Sequence, residues 1–117
     1  MWLTRTDSTA PASCNKDSAC LLKIAEWWAS RMPLLIKYRK YIIVNIANEW
    51  AGTSAEMWRD SYKPVITTIR NAGFSGLLMI DSSTNQDPNG PILYGNNLIE
   101  FDSAKNLAFS VHTYGRW

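Results

Sequence analysis

A chain of 117 residues suits one domain of ordinary size, and 46% hydrophobic with 19% charged residues can build a core, which excludes a disordered type. Twelve Lys and Arg against ten Asp and Glu leave a net charge of +2, too little for a strong electrostatic footprint on nucleic acid. No apolar run approaches the roughly 20 residues of a membrane span. Arg5, Asp7, Lys16 and Asp17 interrupt any signal-peptide core, so the chain is expected to be a mature protein, a fragment or cytosolic.

Residues 1–6 predict a short first strand, and the Asp, Ser, Thr and Pro of 7–11 predict the turn after it. The only two cysteines, Cys14 and Cys20, follow in a polar stretch. Their spacing allows a small-loop disulfide in an oxidising compartment or two free thiols. With a single, distant His and no further thiol, a zinc site is not expected, and no other metal or cofactor is called for. Asp17 or Ser18 can cap a helix whose apolar stripe is Leu21, Ile24 or Ala25, Trp28 and Met32. Pro33 predicts a break, with 33–38 as a short second piece. The cationic group Lys37-Tyr38-Arg39-Lys40 suits a helix C-terminus; phosphate binding is its lesser alternative.

Residues 41–48 form a short, β-branched apolar run, the pattern of a strand buried on both faces in a parallel sheet. The run ends in Asn48, Glu49 and Trp50. Thr53 with Glu56 has the spacing of a capping box, opening a helix over 54–71. Trp58, Tyr62, Val65 or Ile66, and Ile69 are its buried stripe, Pro64 should kink it, and Gly73 closes it. Residues 76–81 repeat the form of an apolar run ending in a carboxylate, Asp81. Residues 82–91 are loop, 92–101 a weak helix interrupted by Gly95, and 106–112 a last strand ending at His112, with Tyr114 and Trp117 beyond.

Strand and helix therefore alternate, which means βαβ units and a parallel sheet in one α/β domain. Glu49, Asp81, and His112 with Tyr114 would gather on the C-terminal rim, where such folds carry their sites. Glu49 is a candidate acid or base, although a strand-end carboxylate taken alone is more often structural. Asn48 could donate to a substrate hydroxyl or hold a turn. Asp81 could orient a neighbour or cap the next loop. Trp50 and Trp117 could stack on a sugar ring, while Trp27, Trp28 and Trp58 are assigned to packing.

The segments Ile43-Val44-Asn45-Ile46-Ala47-Asn48-Glu49-Trp50 and Phe109-Ser110-Val111-His112-Thr113-Tyr114 resemble family 5 of the glycoside hydrolases, most closely its bacterial β-mannanases and endoglucanases. Tyr62, Ile69-Arg70-Asn71-Ala72-Gly73, Ile80-Asp81 and residues 3–10 fit the same pattern. The resemblance covers essentially the whole chain. It implies a half (β/α)₈ TIM barrel, its third to sixth strands, in a secreted enzyme of carbohydrate metabolism. It also implies retaining hydrolysis of a β-1,4-linked polysaccharide, mannan or a β-glucan, by two carboxyls about 5–5.5 Å apart. Glu49 is then the acid/base and Asn48 binds the sugar 2-hydroxyl. His112 and Tyr114 line the cleft. Trp50 and Asp81, named from their place on the rim and not by the resemblance, are further candidate substrate contacts.

Departures from the family pattern are Trp50 where Pro is usual, Thr6 where a His is usual, and no Trp over 82–86. The nucleophile belongs to a seventh strand, and neither Glu56 nor Glu100, both on expected helices, matches it. A barrel takes about 250 residues. A half-barrel would leave an apolar face open, so a second copy is the expected partner. A non-catalytic carbohydrate-binding remnant and an esterase on the same half-barrel are the alternatives; no Gly-x-Ser-x-Gly supports the latter.

Overall fold

The computed structural model describes residues 2–4, 12–83 and 88–113. The order is β1 (Trp2–Thr4), a 3₁₀ turn (Ala12–Lys16), α1 (Ser18–Ala29), α2 (Met32–Tyr38), β2 (Ile43–Asn45), α3 (Ala55–Asn71), β3 (Leu78–Asp81), α4 (Asn89–Phe101) and β4 (Leu107–Ser110). The four strands form one parallel sheet in the order β1-β2-β3-β4. Register runs from Leu3 opposite Val44, through Val44 opposite Leu78, to Leu78 opposite Leu107 and Asp81 opposite Ser110. Each strand lies beside the next in sequence, joined by helical crossovers, as in a TIM barrel segment.

The elements form for the reasons the sequence offers, with some shifts. Asp17 caps α1 by accepting from Ala19 N at 2.9 Å, and Leu21, Ile24, Ala25 and Trp28 are its buried stripe. Pro33 opens α2 instead of breaking it, at a position where its missing N–H costs no bond. The α3 stripe is as expected: Trp58, Tyr62, Val65, Ile66 and Ile69 are all buried, and the helix continues through Pro64 as one element. Its cap is one residue later than the sequence pattern indicates. Ser54 Oγ accepts from Met57 N at 3.1 Å, whereas the Thr53 hydroxyl meets Met57 Sδ and Glu56 accepts from the Tyr94 hydroxyl. Gly73 ends α3 with a φ of +102°, which only glycine adopts freely.

Two other expectations change. All four strands are three or four residues long, shorter than the apolar runs that contain them. Helix α4 starts at Asn89 and passes Gly95 unbroken. A Cβ on Gly95 would stand 3.1 Å from the Phe109 ring, so the glycine is there for close approach of β4. The expected loop is thus shorter at its end, and residues 84–87 lie outside the described residues.

The core sits between the sheet and its helices. Val44, Leu78 and Ile80 pack with Trp28, Trp58, Tyr62, Ile66, Ile69 and Leu98. The alternate strand positions belong to the other face, and there Ile43, Met79 and Ala108 are only half-buried. The strands were expected to be buried on both faces; the helix-free face is incompletely covered. Cys14 and Cys20 are joined by a disulfide, with Cα atoms 5.6 Å apart, which settles the choice between bond and free thiols. No helix among the described residues is long and apolar enough to cross a membrane.

Candidate active site

Past Asn45, the last residue of β2, the chain continues through Ile46, whose N–H still donates to Met79 O at 3.1 Å, and Ala47, both buried, and turns outward at Asn48 and Glu49. Glu49 has a φ of +55°, an uncommon left-handed conformation for a residue with a Cβ. The turn is held from three sides. Asp81 Oδ2 accepts from Glu49 N at 2.7 Å. Two helix indoles donate to the strand ends, Trp28 Nε1 to Ile46 O at 2.8 Å and Trp58 Nε1 to Asp81 O at 2.9 Å. The next turn is tied to the segment before α1, where Asn15 O accepts from both Ala51 N and Gly52 N.

The consequence is a cluster on the C-terminal rim. Asn45, Asp81 and His112 occupy alternate positions from those packed under the helices, so they share the open face. Asn45 Nδ2 donates to Asp81 Oδ1 at 2.7 Å, and both residues are fully buried. His112 stands between two carboxylates, with Nδ1 3.0 Å from Glu49 Oε1 and Nε2 3.3 Å from Asp81 Oδ2. The Glu49 side chain is 34% exposed and that of His112 17%, so a ligand can reach Glu49 from solvent. Asn48 is exposed beside it.

The structure therefore brings together Glu49, Asn48, Asp81 and His112 from separate strand ends. Tyr114 lies outside the described residues, as does Trp117. Two of the expected substrate contacts are corrected. Trp50 is 2% exposed: the turn at Glu49 sends it inward, where its Nε1 donates to Asp17 O at 3.1 Å and its ring meets Tyr62 edge-on at 5.5 Å. It is a strut between α1 and α3, not a sugar platform. Asp81 is 0% exposed with both oxygens accepting hydrogen bonds, so it orients its neighbours and does not meet substrate.

Asn45 is the residue sequence reasoning passed over. Its signal was available: one amide inside a β-branched run must find a polar partner or leave a buried orphan. Its Oδ1 has no partner among the described residues. Trp28 and Trp58 do more than pack, since each indole also donates to a strand-end carbonyl. Near the site, burial and then the Asp81 charge push the Tyr62 phenol well above its ordinary range, so it stays a neutral hydroxyl. No group of His, Cys, Asp and Glu among the described residues is arranged to hold a metal.

The sequence matches the profile of Cellulase (glycosyl hydrolase family 5) over residues 3–117. The chain belongs to glycosyl hydrolase family 5. Among the members it is similar to, the mannan endo-1,4-beta-mannosidase of Salipaludibacillus agaradhaerens is 35% identical over 96 residues, which is 80% of this chain and 31% of that protein. The mannan endo-1,4-beta-mannosidase of Cellvibrio japonicus is 34% identical over 101 residues, 83% of this chain and 24% of that one. The β-mannanase of Thermomonospora fusca in its mannotriose complex superposes with a TM-score of 0.83 at 22% identity, over 99% of this chain and 40% of the other. That likeness establishes the fold: the four-stranded sheet is a segment of the family's TIM barrel. This family 5 chain spans about a third or less of the length of those two curated relatives.

Proposed function

We propose that this chain carries the acid/base half of a retaining glycoside hydrolase active site, acting on a β-1,4-linked polysaccharide. Mannan is the first candidate, since two relatives at 34–35% identity are mannan endo-1,4-beta-mannosidases. Cellulose and other β-glucans are the second. The observation that carries the reading is a partly exposed Glu49 carboxyl, fixed at a strand end of a family 5 chain with His112 3.0 Å away.

In this reading Glu49 protonates the glycosidic oxygen as the bond breaks and later takes a proton from the attacking water. Asn48 donates to the sugar 2-hydroxyl, and His112 and Tyr114 line the cleft. The second carboxyl is assigned to polypeptide outside these residues. Among the described residues, Glu56 is engaged with Tyr94 on the helix surface and Glu100 with Lys105 at the end of α4. A further polypeptide, a second copy of this chain or other barrel strands, is assigned to the half-covered sheet face. The disulfide suits an oxidising compartment, which favours a secreted protein.

The test is to assay the chain, completed by polypeptide that supplies the remaining barrel strands and their carboxyl, and its Glu49→Gln variant on mannan and a soluble cellulose derivative, with the mass of the chain alone measured by light scattering. General acid–base catalysis contributes about 10²–10⁴-fold, so a glycanase activity must fall by that order in Glu49→Gln. Equal activity in the two sinks the assignment. Polymer binding with no release of sugar marks a binding remnant. Hydrolysis of an aryl ester without glycanase activity marks an esterase, and a monomer excludes the second copy.

A further inference from the structure

The ring His112 makes with Glu49 and Asp81 contains more information than its distances. Between His112 Nδ1 and Glu49 Oε1, at 3.0 Å, and between Nε2 and Asp81 Oδ2, at 3.3 Å, a hydrogen must lie, because two facing lone pairs at those separations repel. A neutral imidazole carries only one. The two carboxylates compete for it unequally. Glu49 is partly exposed and can be served by water. Asp81 is fully buried, and among the described residues no Lys or Arg pairs with it. Among the described residues its charge is supported by two other donors, Asn45 Nδ2 on Oδ1 and Glu49 N on Oδ2. A buried carboxylate in that position gains most from a further N–H.

We propose that Asp81 is a positioning residue that fixes His112 as the Nε2–H tautomer, turning the bare Nδ1 toward Glu49 as an acceptor. This rests on the reading of Glu49 as acid/base and deepens it. When Glu49 carries a proton as the acid, that proton fills the second gap as O–H···Nδ1. The same Asp81 oxygen that orients the ring also holds the Glu49 N–H in its left-handed turn. One buried carboxylate thus sets both the backbone and the hydrogen-bond partner of the acid/base.

His112 is the only histidine in the chain, so its imidazole nitrogens give an unambiguous ¹⁵N spectrum. At neutral pH the wild type is expected to show Nε2 protonated and Nδ1 bare; a proton on Nδ1, alone or together with one on Nε2, overturns the proposal. In Asp81→Asn the Nε2 resonance is expected to move toward the unprotonated position, and an unchanged spectrum in a folded variant overturns it. In Glu49→Gln, Nε2 is expected to stay protonated; loss of that proton means Glu49, not Asp81, sets the tautomer. Should Asp81→Asn fail to fold, the wild-type and Glu49→Gln spectra still decide. Glycanase activity of Glu49→Gln tests the catalytic reading separately, since the tautomer is read with no substrate present.

Discussion

Replacing Arg70 with methionine should cost this fold about 3–5 kcal/mol, because it strands a buried charge at the end of the sheet opposite the rim cluster. Arg70 is 5% exposed and Asp102 0%. The guanidinium meets the carboxylate as a fork, Nε to Oδ1 at 2.8 Å and Nη2 to Oδ2 at 2.9 Å. Its remaining N–H groups donate to Phe74 O, Gly76 O and Asn106 O, the segments that lead into β3 and β4. Losing those three bonds is the smaller part, because Phe74 borders an open cleft of about 300 Å³, and Gly76 and Asn106 another of about 520 Å³, where water can replace the lost donors. The larger part is Asp102, left buried with only the Ala104 and Asn106 N–H groups. Against a total stability of about 5–15 kcal/mol this is a large fraction. Urea unfolding at pH 7 should show the midpoint fall by roughly 2 M, with the slope m retained.

The pH dependence follows the same pair. Burial pushes the Asp102 carboxyl up, but the Arg70 fork and the N–H groups of Asn106 and Ala104 outweigh it and hold the group below the usual carboxylate range. The folded value thus lies below the unfolded value of about 3.9. The pair's contribution is complete above that pH and fades as pH falls through the lower, folded value. The gap between wild type and Arg70→Met should therefore narrow under strong acid. A loss of less than about 1 kcal/mol at pH 7, or a gap that widens in acid, would refute the reasoning.

Other expectations follow from single contacts. Ser54→Ala should cost about 1 kcal/mol by loss of the α3 cap, while Thr53→Ala should stay within about 0.5 kcal/mol, in chemical denaturation. Trp58→Phe keeps a buried ring but leaves Asp81 O without its donor, so a cost of about 1–3 kcal/mol is expected, with slower binding or turnover of any glycan that uses the rim. Reducing the Cys14–Cys20 bond closes no more than a short loop in reverse. The chain-entropy model gives about 2 kcal/mol for a loop of that size, readable as a lower Tm under reductant.

Local rules carried far in this chain. The alternation of short apolar runs with amphipathic stretches sufficed for a parallel α/β sheet, and the buried stripes of α1 and α3 follow from helical spacing alone. Glu49 and His112 stand out because each closes an apolar run, but that position alone leaves a structural role more common, and only the resemblance gives them their expected roles. Local rules failed where two segments distant in sequence compete for one residue. Thr53 and Ser54 both can cap a helix, and only the packed position of α3 selects Ser54. Gly95 reads as a helix breaker until Phe109 is seen to need the space.

The same division holds at the rim. Composition and the order of elements by themselves determined the class of fold, and the motifs around Glu49 and His112 carried the resemblance to the family. Tertiary structure decided what each rim side chain does. Trp50 stands next to Glu49 in sequence, yet a left-handed φ of +55° turns one inward and leaves the other facing solvent. Asn45 and Asp81, 36 residues apart, become one buried pair only because parallel register sets β2 beside β3. Hydrophobic periodicity is a property of neighbours along the chain; a hydrogen bond between strand ends is a property of the sheet. The acid/base candidate was legible in the sequence, and the carboxylate and histidine that orient it became so only when four strand ends met.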